Sequence, residues 1–100
     1  MYIKLSPYVV IPGDSTDMEV SVSGDLIAIN GTDFDFSPLP EGAELPAVAT
    51  GSDYFEGSIT RVDGEIRLTL KLPISSDASE EARFPAPIHV TWSGPVELPK

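Results

Sequence analysis

Apolar and polar residues alternate in short runs along most of the chain, and glycine-containing reversals separate the runs. Side chains on an extended strand point to opposite faces with period two, so this pattern predicts antiparallel strands with one buried and one wet face. Met18, Val20 and Val22 alternate with Glu19, Ser21 and Ser23, and Ser23-Gly24-Asp25 supplies a tight turn. Ile27 and Ile29 share a face of the next run. Asn30-Gly31 then offers two residues that tolerate the left-handed conformation of a type I′ turn. Beyond it, Phe34 and Phe36 oppose Asp33, Asp35 and Ser37. Residues 18–37 thus read as a three-stranded meander.

A second hairpin spans residues 58–72, reversing at Asp63-Gly64. In its return strand Ile66, Leu68, Leu70 and Leu72 fall on one face, while Glu65, Arg67, Thr69 and Lys71 fall on the other with mixed signs. Pro73 has no N–H to donate and is expected to end the ladder. Ile88, Val90 and Trp92 alternate with His89, Thr91 and Ser93, with Pro87 before and Gly94-Pro95 after as boundaries. Residues 2–5 predict a first strand, with 8–11 as a continuation.

Two stretches read differently. Residues 37–46 hold three prolines, so this segment cannot pair along its length and is expected to cross the surface, with Leu39 and Leu45 as anchors. Near residues 77–83, Ser76 or Asp77 can cap one or two helical turns, with Glu80 and Glu81 at the positive end, Arg83 at the close and Pro85 as the stop. Ala82 and Phe84 are expected to pack this short helix on the sheets, because a helix of that length does not hold alone. The fold class predicted is mainly β: a single domain over residues 1–100, built as a small antiparallel β-sandwich or open barrel from hairpins and a meander, with at most one short helix. Trp92 is large enough to be a central packing element.

Composition supports that picture, with 41% hydrophobic and 22% charged residues, both ordinary for a globular chain. The absence of cysteine excludes disulfides and thiolate metal sites and fits a reducing compartment. Residues 1–5 lack the features of a signal peptide, and no apolar run approaches the length of a membrane span, so a cytoplasmic location is expected. The net charge is −10, and its distribution is uneven. Between Leu5 and Thr60 there are ten carboxylates and no lysine or arginine. Nucleic-acid binding needs clustered cations and an anionic membrane repels an acidic field, so neither partner is expected. The acidity favours solubility or a basic protein partner.

No catalytic, cofactor-binding or metal site is expected. His89 is the one imidazole and falls on a polar strand face. Asp33 and Asp35 lie on one side of a strand, about 7 Å apart at the usual rise. That separation suits a glycosidase pair or part of a calcium site, but a solvated strand face carries such pairs far more often. Asp63-Gly64-Glu65 has the look of part of a calcium loop without the ligand spacing of one, and reads as a turn. Tyr54 and Phe55 read as packing residues rather than a contact patch.

The runs Gly31-Thr32-Asp33-Phe34-Asp35-Phe36-Ser37-Pro38-Leu39-Pro40-Glu41-Gly42-Ala43 and Ile59-Thr60-Arg61-Val62-Asp63-Gly64-Glu65 resemble stretches of a family of small uncharacterised bacteriophage and prophage proteins. The resemblance continues in Leu70-Lys71-Leu72-Pro73, Ala82-Arg83-Phe84-Pro85-Ala86-Pro87-Ile88 and Gly94-Pro95-Val96-Glu97-Leu98-Pro99. It covers most of the chain from about Val22 onward and implies a gene near phage tail genes. The expected function is therefore a non-enzymatic, tail-associated structural or assembly role through contacts with a phage tail or host protein. The alternative is an acidic inhibitor that imitates nucleic acid before a host defence or nucleic-acid enzyme. The resemblance supplies no functional residues and no cofactor.

Overall fold

Strict alternation carries into the longest hairpin. In the computed structural model, which describes residues 1–99, β6 (Phe55–Val62) and β7 (Glu65–Ile74) pair antiparallel. Every second residue of β7 from Ile66 to Ile74 is buried. The turn between the strands places Asp63 at φ 53° and Gly64 at φ 77°, and Asn30-Gly31 repeats the arrangement at 51° and 84°. Two successive positive φ values are what a type I′ turn requires and what a right-twisted hairpin accommodates.

The strands form two open sheets. One has the order β5-β6-β7-β1-β8, adding β1 (Tyr2–Val9), β5 (Glu44–Pro46) and β8 (Ile88–His89) to the long hairpin. The other has the order β4-β3-β2-β9: the meander β2 (Val20–Ser23), β3 (Leu26–Ile29) and β4 (Thr32–Asp35), extended by β9 (Gly94–Val96). Helical structure among the described residues is limited to a 3-10 turn at Ala47–Thr50 and α1 (Glu80–Arg83). No helix among the described residues is long and apolar enough to cross a membrane. The inner faces meet in one core that includes Ile3, Ile27, Ile29, Ile59, Ile66 and Leu70. Full burial of such a side chain stabilises by about 1.5–3 kcal/mol each. Phe55 sits edge-on to Phe34 and Phe36 at 5.0 and 5.7 Å between centroids, joining β4 to the start of β6.

Several expectations are corrected. One pairing is parallel: β1 runs alongside β7 from Tyr2 opposite Arg67 to Val9 opposite Ile74. Pro73 does not end the ladder. Lys71 donates its N–H to the Tyr54 carbonyl at 2.9 Å; two residues on, the Pro73 nitrogen faces the same side, where β6 no longer runs. Glu44–Pro46 of the proline-rich segment does pair, as an edge strand on β6, and Leu39 and Leu45 pack on the core as expected. The strand expected at Ile88, Val90 and Trp92 stops at His89, because its partner β1 begins at Tyr2 and the final contact is from Val90 N–H to the Met1 carbonyl. Val90 remains buried, but Trp92 is 47% exposed, its indole N–H donating to the Pro95 carbonyl. Gly94-Pro95 is not a boundary but part of β9, at a sheet edge where proline is tolerated. The cap of α1 is Ser79, whose hydroxyl accepts from Ala82 N–H, rather than Ser76 or Asp77. Ala82 is buried, whereas Phe84 is 78% exposed because the chain leaves the helix there toward Pro85.

Arg61 locks the two sheets together. It shares the inner face of β6 with Ile59, and its side chain is only 13% exposed. Its Nε donates to the Leu39 carbonyl at 2.6 Å, Nη1 to Gly64 at 3.0 Å, and Nη2 to Phe36 at 3.2 Å and to the Asp25 carboxylate at 2.8 Å. Asp25 lies in the β2–β3 turn, so the guanidinium spans from the larger sheet to the smaller one. Glu41 completes the joint by accepting from the N–H groups of Asp63 and Gly64 at 3.0 and 2.5 Å.

Candidate functional site

Period two sends Ile3, Leu5, Leu68 and Leu70 into the core, so the residues between them form the outer face of the larger sheet. Parallel pairing sets Tyr2 beside Arg67, Lys4 beside Thr69 and Ser6 beside Lys71. On the far side of β7, Arg67 pairs with Thr60 and Thr69 with Glu56. Lys4, Arg67 and Lys71 are exposed, and none forms an ion pair among the described residues. The other described cations are turned to structural use: Arg61 in the joint between sheets, and Arg83 donating to the carbonyls of Ala78 and Ser76. The Arg67 guanidinium lies 5.2 Å from the centre of the Tyr2 ring, a cation–π distance that holds the side chain over the sheet.

Between these residues is a depression of about 190 Å³ lined by Tyr2, Lys4, Ser58, Thr60, Arg67 and Thr69. It lies next to an irregularity in β6, where the register with β7 shifts between Glu56 and Thr60 and Gly57 takes φ 72°. Cationic nitrogens and hydroxyl groups are hydrogen-bond donors, so the chemistry of the depression suits an oxyanion. Acids bound the cations: Glu56 across from Thr69, Glu65 two residues before Arg67, and Asp53 and Glu56 beside Lys71 and Tyr8.

The smaller sheet has the opposite character. Its four strands carry no lysine or arginine. Across its outer face run Pro95, Ser21, Ala28 and Asp33, and beside them Ser23, Leu26 and Asp35. Asp33 and Asp35 both face solvent on edge strand β4, as the sequence pattern implies. Asp35 accepts from the Ser37 N–H at 2.9 Å, and that bond holds its carboxyl below the usual carboxylate range. Among the described residues no group of three His, Cys, Asp or Glu side chains is placed to hold a metal ion.

His89 lies at the other margin of the larger sheet. Its Nε2 is 2.5 Å from Glu65 Oε1, the same oxygen that meets the Met1 α-ammonium at 3.0 Å. That ammonium also donates to the Val90 carbonyl at 2.9 Å. The hydrogen bond from the ammonium is the main reason the Glu65 carboxyl lies below its usual range; partial burial opposes it, and the ammonium charge and His89 add to it. This network fastens β8 to the start of β7 and β1. Asp63-Gly64 is the hairpin turn, and Tyr54 and Phe55 pack against Phe34, as read from the sequence.

Two features escaped the sequence reading. Arg61 has the same strand parity as buried Ile59, which marks it as inward-facing. Lys4 joins Arg67 and Lys71 only because β1 pairs with β7, and no local pattern announces a parallel pair. Comparison of the chain with protein-family models, with characterised proteins and with solved structures finds no match.

Proposed function

We propose that this chain is a non-enzymatic phage or prophage protein with a tail-associated structural or assembly role, acting through contacts with other proteins. One observation carries the reading: the sandwich is electrically two-sided, with three cations that form no ion pair among the described residues on the outer face of one sheet and no lysine or arginine on the strands of the other. Complementary patches of this kind steer and orient protein association more than they add affinity. The resemblance to phage proteins runs over residues 31–43, 59–65, 70–73, 82–88 and 94–99, and Arg61 and Glu41 bind the first two of these runs to one another. It therefore supports a shared architecture, and the biological setting comes with it as analogy.

The test is affinity capture from induced or infected cells together with mass spectrometry of purified particles. A tail protein recovered with the chain is the expected result, and presence in the particle separates a structural component from an assembly factor. Recovery of no protein partner under either condition removes the proposal. A second reading, an acidic inhibitor of a defence or nucleic-acid enzyme, is favoured by the cation-free small sheet with Asp33 and Asp35 side by side on its outer face. It requires a basic enzyme as the captured partner and a complex that weakens steeply with added salt.

A further inference from the structure

We infer that the outer face of the larger sheet, centred on the depression between Lys4 and Arg67, docks a short acidic segment of a protein partner in extended conformation. The inference rests on the interaction reading above and gives the partner's chemistry at that face. Sixteen acidic residues against six basic ones would ordinarily leave each exposed cation with a carboxylate beside it. Among the described residues Lys4, Arg67 and Lys71 have none within ion-pair distance, and they are gathered on two adjacent strands. Arg67, stacked on Tyr2, presents a fork suited to a carboxylate, and Ser58, Thr60 and Thr69 bring hydroxyl donors to the same depression.

Spacing selects the occupant. Arg67 and Lys71 are four residues apart on one strand, about 13 Å, and carboxylates at alternate positions of an extended segment fall at about 7 Å intervals. An acidic side chain can therefore meet each cation, with an intervening one over Thr69 within reach of Lys4. The rim excludes longer polyanions. Glu65 lies beyond Arg67, Glu56 and Asp53 lie beside Lys71, and the protein as a whole is at −10. A nucleic acid running past the patch would meet these acids, and three cations supply only a small counterion-release term.

The test is an NMR titration of the full chain, at low salt, with a short peptide alternating glutamate and serine and, separately, with a short oligothymidylate. The peptide is expected to give saturable shifts in the amides of residues 2–6, 58–60 and 67–71. The combined Lys4→Gln, Arg67→Gln and Lys71→Gln variant is expected to bind about tenfold more weakly, since three exposed ion pairs, each weak alone, are lost together. These positions point to solvent, and the variant's own spectrum reports whether it is folded. Glu56→Gln, which removes rim repulsion, is expected to tighten peptide binding about twofold. Shifts at other residues, no saturable shift, or unchanged binding in both variants overturn the inference. So does tighter binding of the oligothymidylate at these residues, which would assign the face to nucleic acid. Failure here is separable from failure of the interaction reading. A partner captured equally by wild type and triple variant keeps that reading and removes this face, whereas a wild-type chain that captures nothing removes the reading itself.

Discussion

Arg61→Ala tests how the two sheets are held in register with one another. The guanidinium makes four hydrogen bonds from a largely buried position; three of its acceptors are backbone carbonyls, and two of these, Phe36 and Leu39, lie in the segment that leaves the smaller sheet after β4. The Gly64 carbonyl is at an exposed turn and can be rehydrated, so its loss costs little. Leu39 and Phe36 carbonyls are partly buried, and leaving each without its charged donor costs about 1–1.5 kcal/mol. The pair with Asp25, a third exposed, adds about 0.5–1 kcal/mol after screening by solvent. The sum is about 3 kcal/mol, a drop in Tm of about 12–24 °C for a domain of this size. Arg61→Lys keeps the charge near Asp25 but cannot reach several carbonyls at once, and is expected to lose about 2 kcal/mol. Asp25→Asn isolates the ion pair and is expected to lose about 1 kcal/mol or less. Urea unfolding followed by circular dichroism measures all three. A loss below about 1 kcal/mol for Arg61→Ala, or equal losses for Arg61→Ala and Asp25→Asn, would refute the account in which the carbonyl contacts dominate.

Three further outcomes follow from the geometry. Glu65 is more acidic in the folded chain than it is unfolded, so the unfolded state takes up its proton first as pH falls. Its contribution is thus present above the ordinary glutamate pKa and disappears through the lower folded one, and Glu65→Gln should flatten the acid limb of a Tm-versus-pH curve. Gly64→Ala, at φ 77° with open space around the position, is expected to cost about 1–2 kcal/mol from backbone conformation alone, read by thermal melting. Leu70→Ala in the core is expected to cost about 2–5 kcal/mol, while Phe84→Ser, at an exposed position, should stay within about 0.5 kcal/mol of wild type.

Much of the architecture is legible in local pattern. The faces of β2, β3, β4 and β7 follow directly from alternation, and the two type I′ turns follow from Asn30-Gly31 and Asp63-Gly64. What escaped is whatever depends on a partner distant in sequence. Pro73 reads as a terminator until one sees that β6 ends beside it, and Trp92 reads as core until one sees that the pairing of β8 with β1 stops at His89. The same cause hides the cationic face. Arg67 and Lys71 alternate with leucines as on any half-exposed strand, and only the pairing of Ser6 with Lys71 and Tyr2 with Arg67 makes a patch of them.

The place of β1 between β7 and β8 also governs the order in which the molecule can be completed. During synthesis β1 leaves the ribosome well before β7, yet it cannot pair with anything until β7 has been made and has folded back. The meander and the β6–β7 hairpin are assembled from sequence neighbours and can form early. Closing a sheet through such remote residues is slow compared with local hairpins. Until that closure, Ile3, Leu5 and the β1-facing edge of β7 remain uncovered, so the nascent chain is most vulnerable to aggregation and proteolysis at β1 and along that edge.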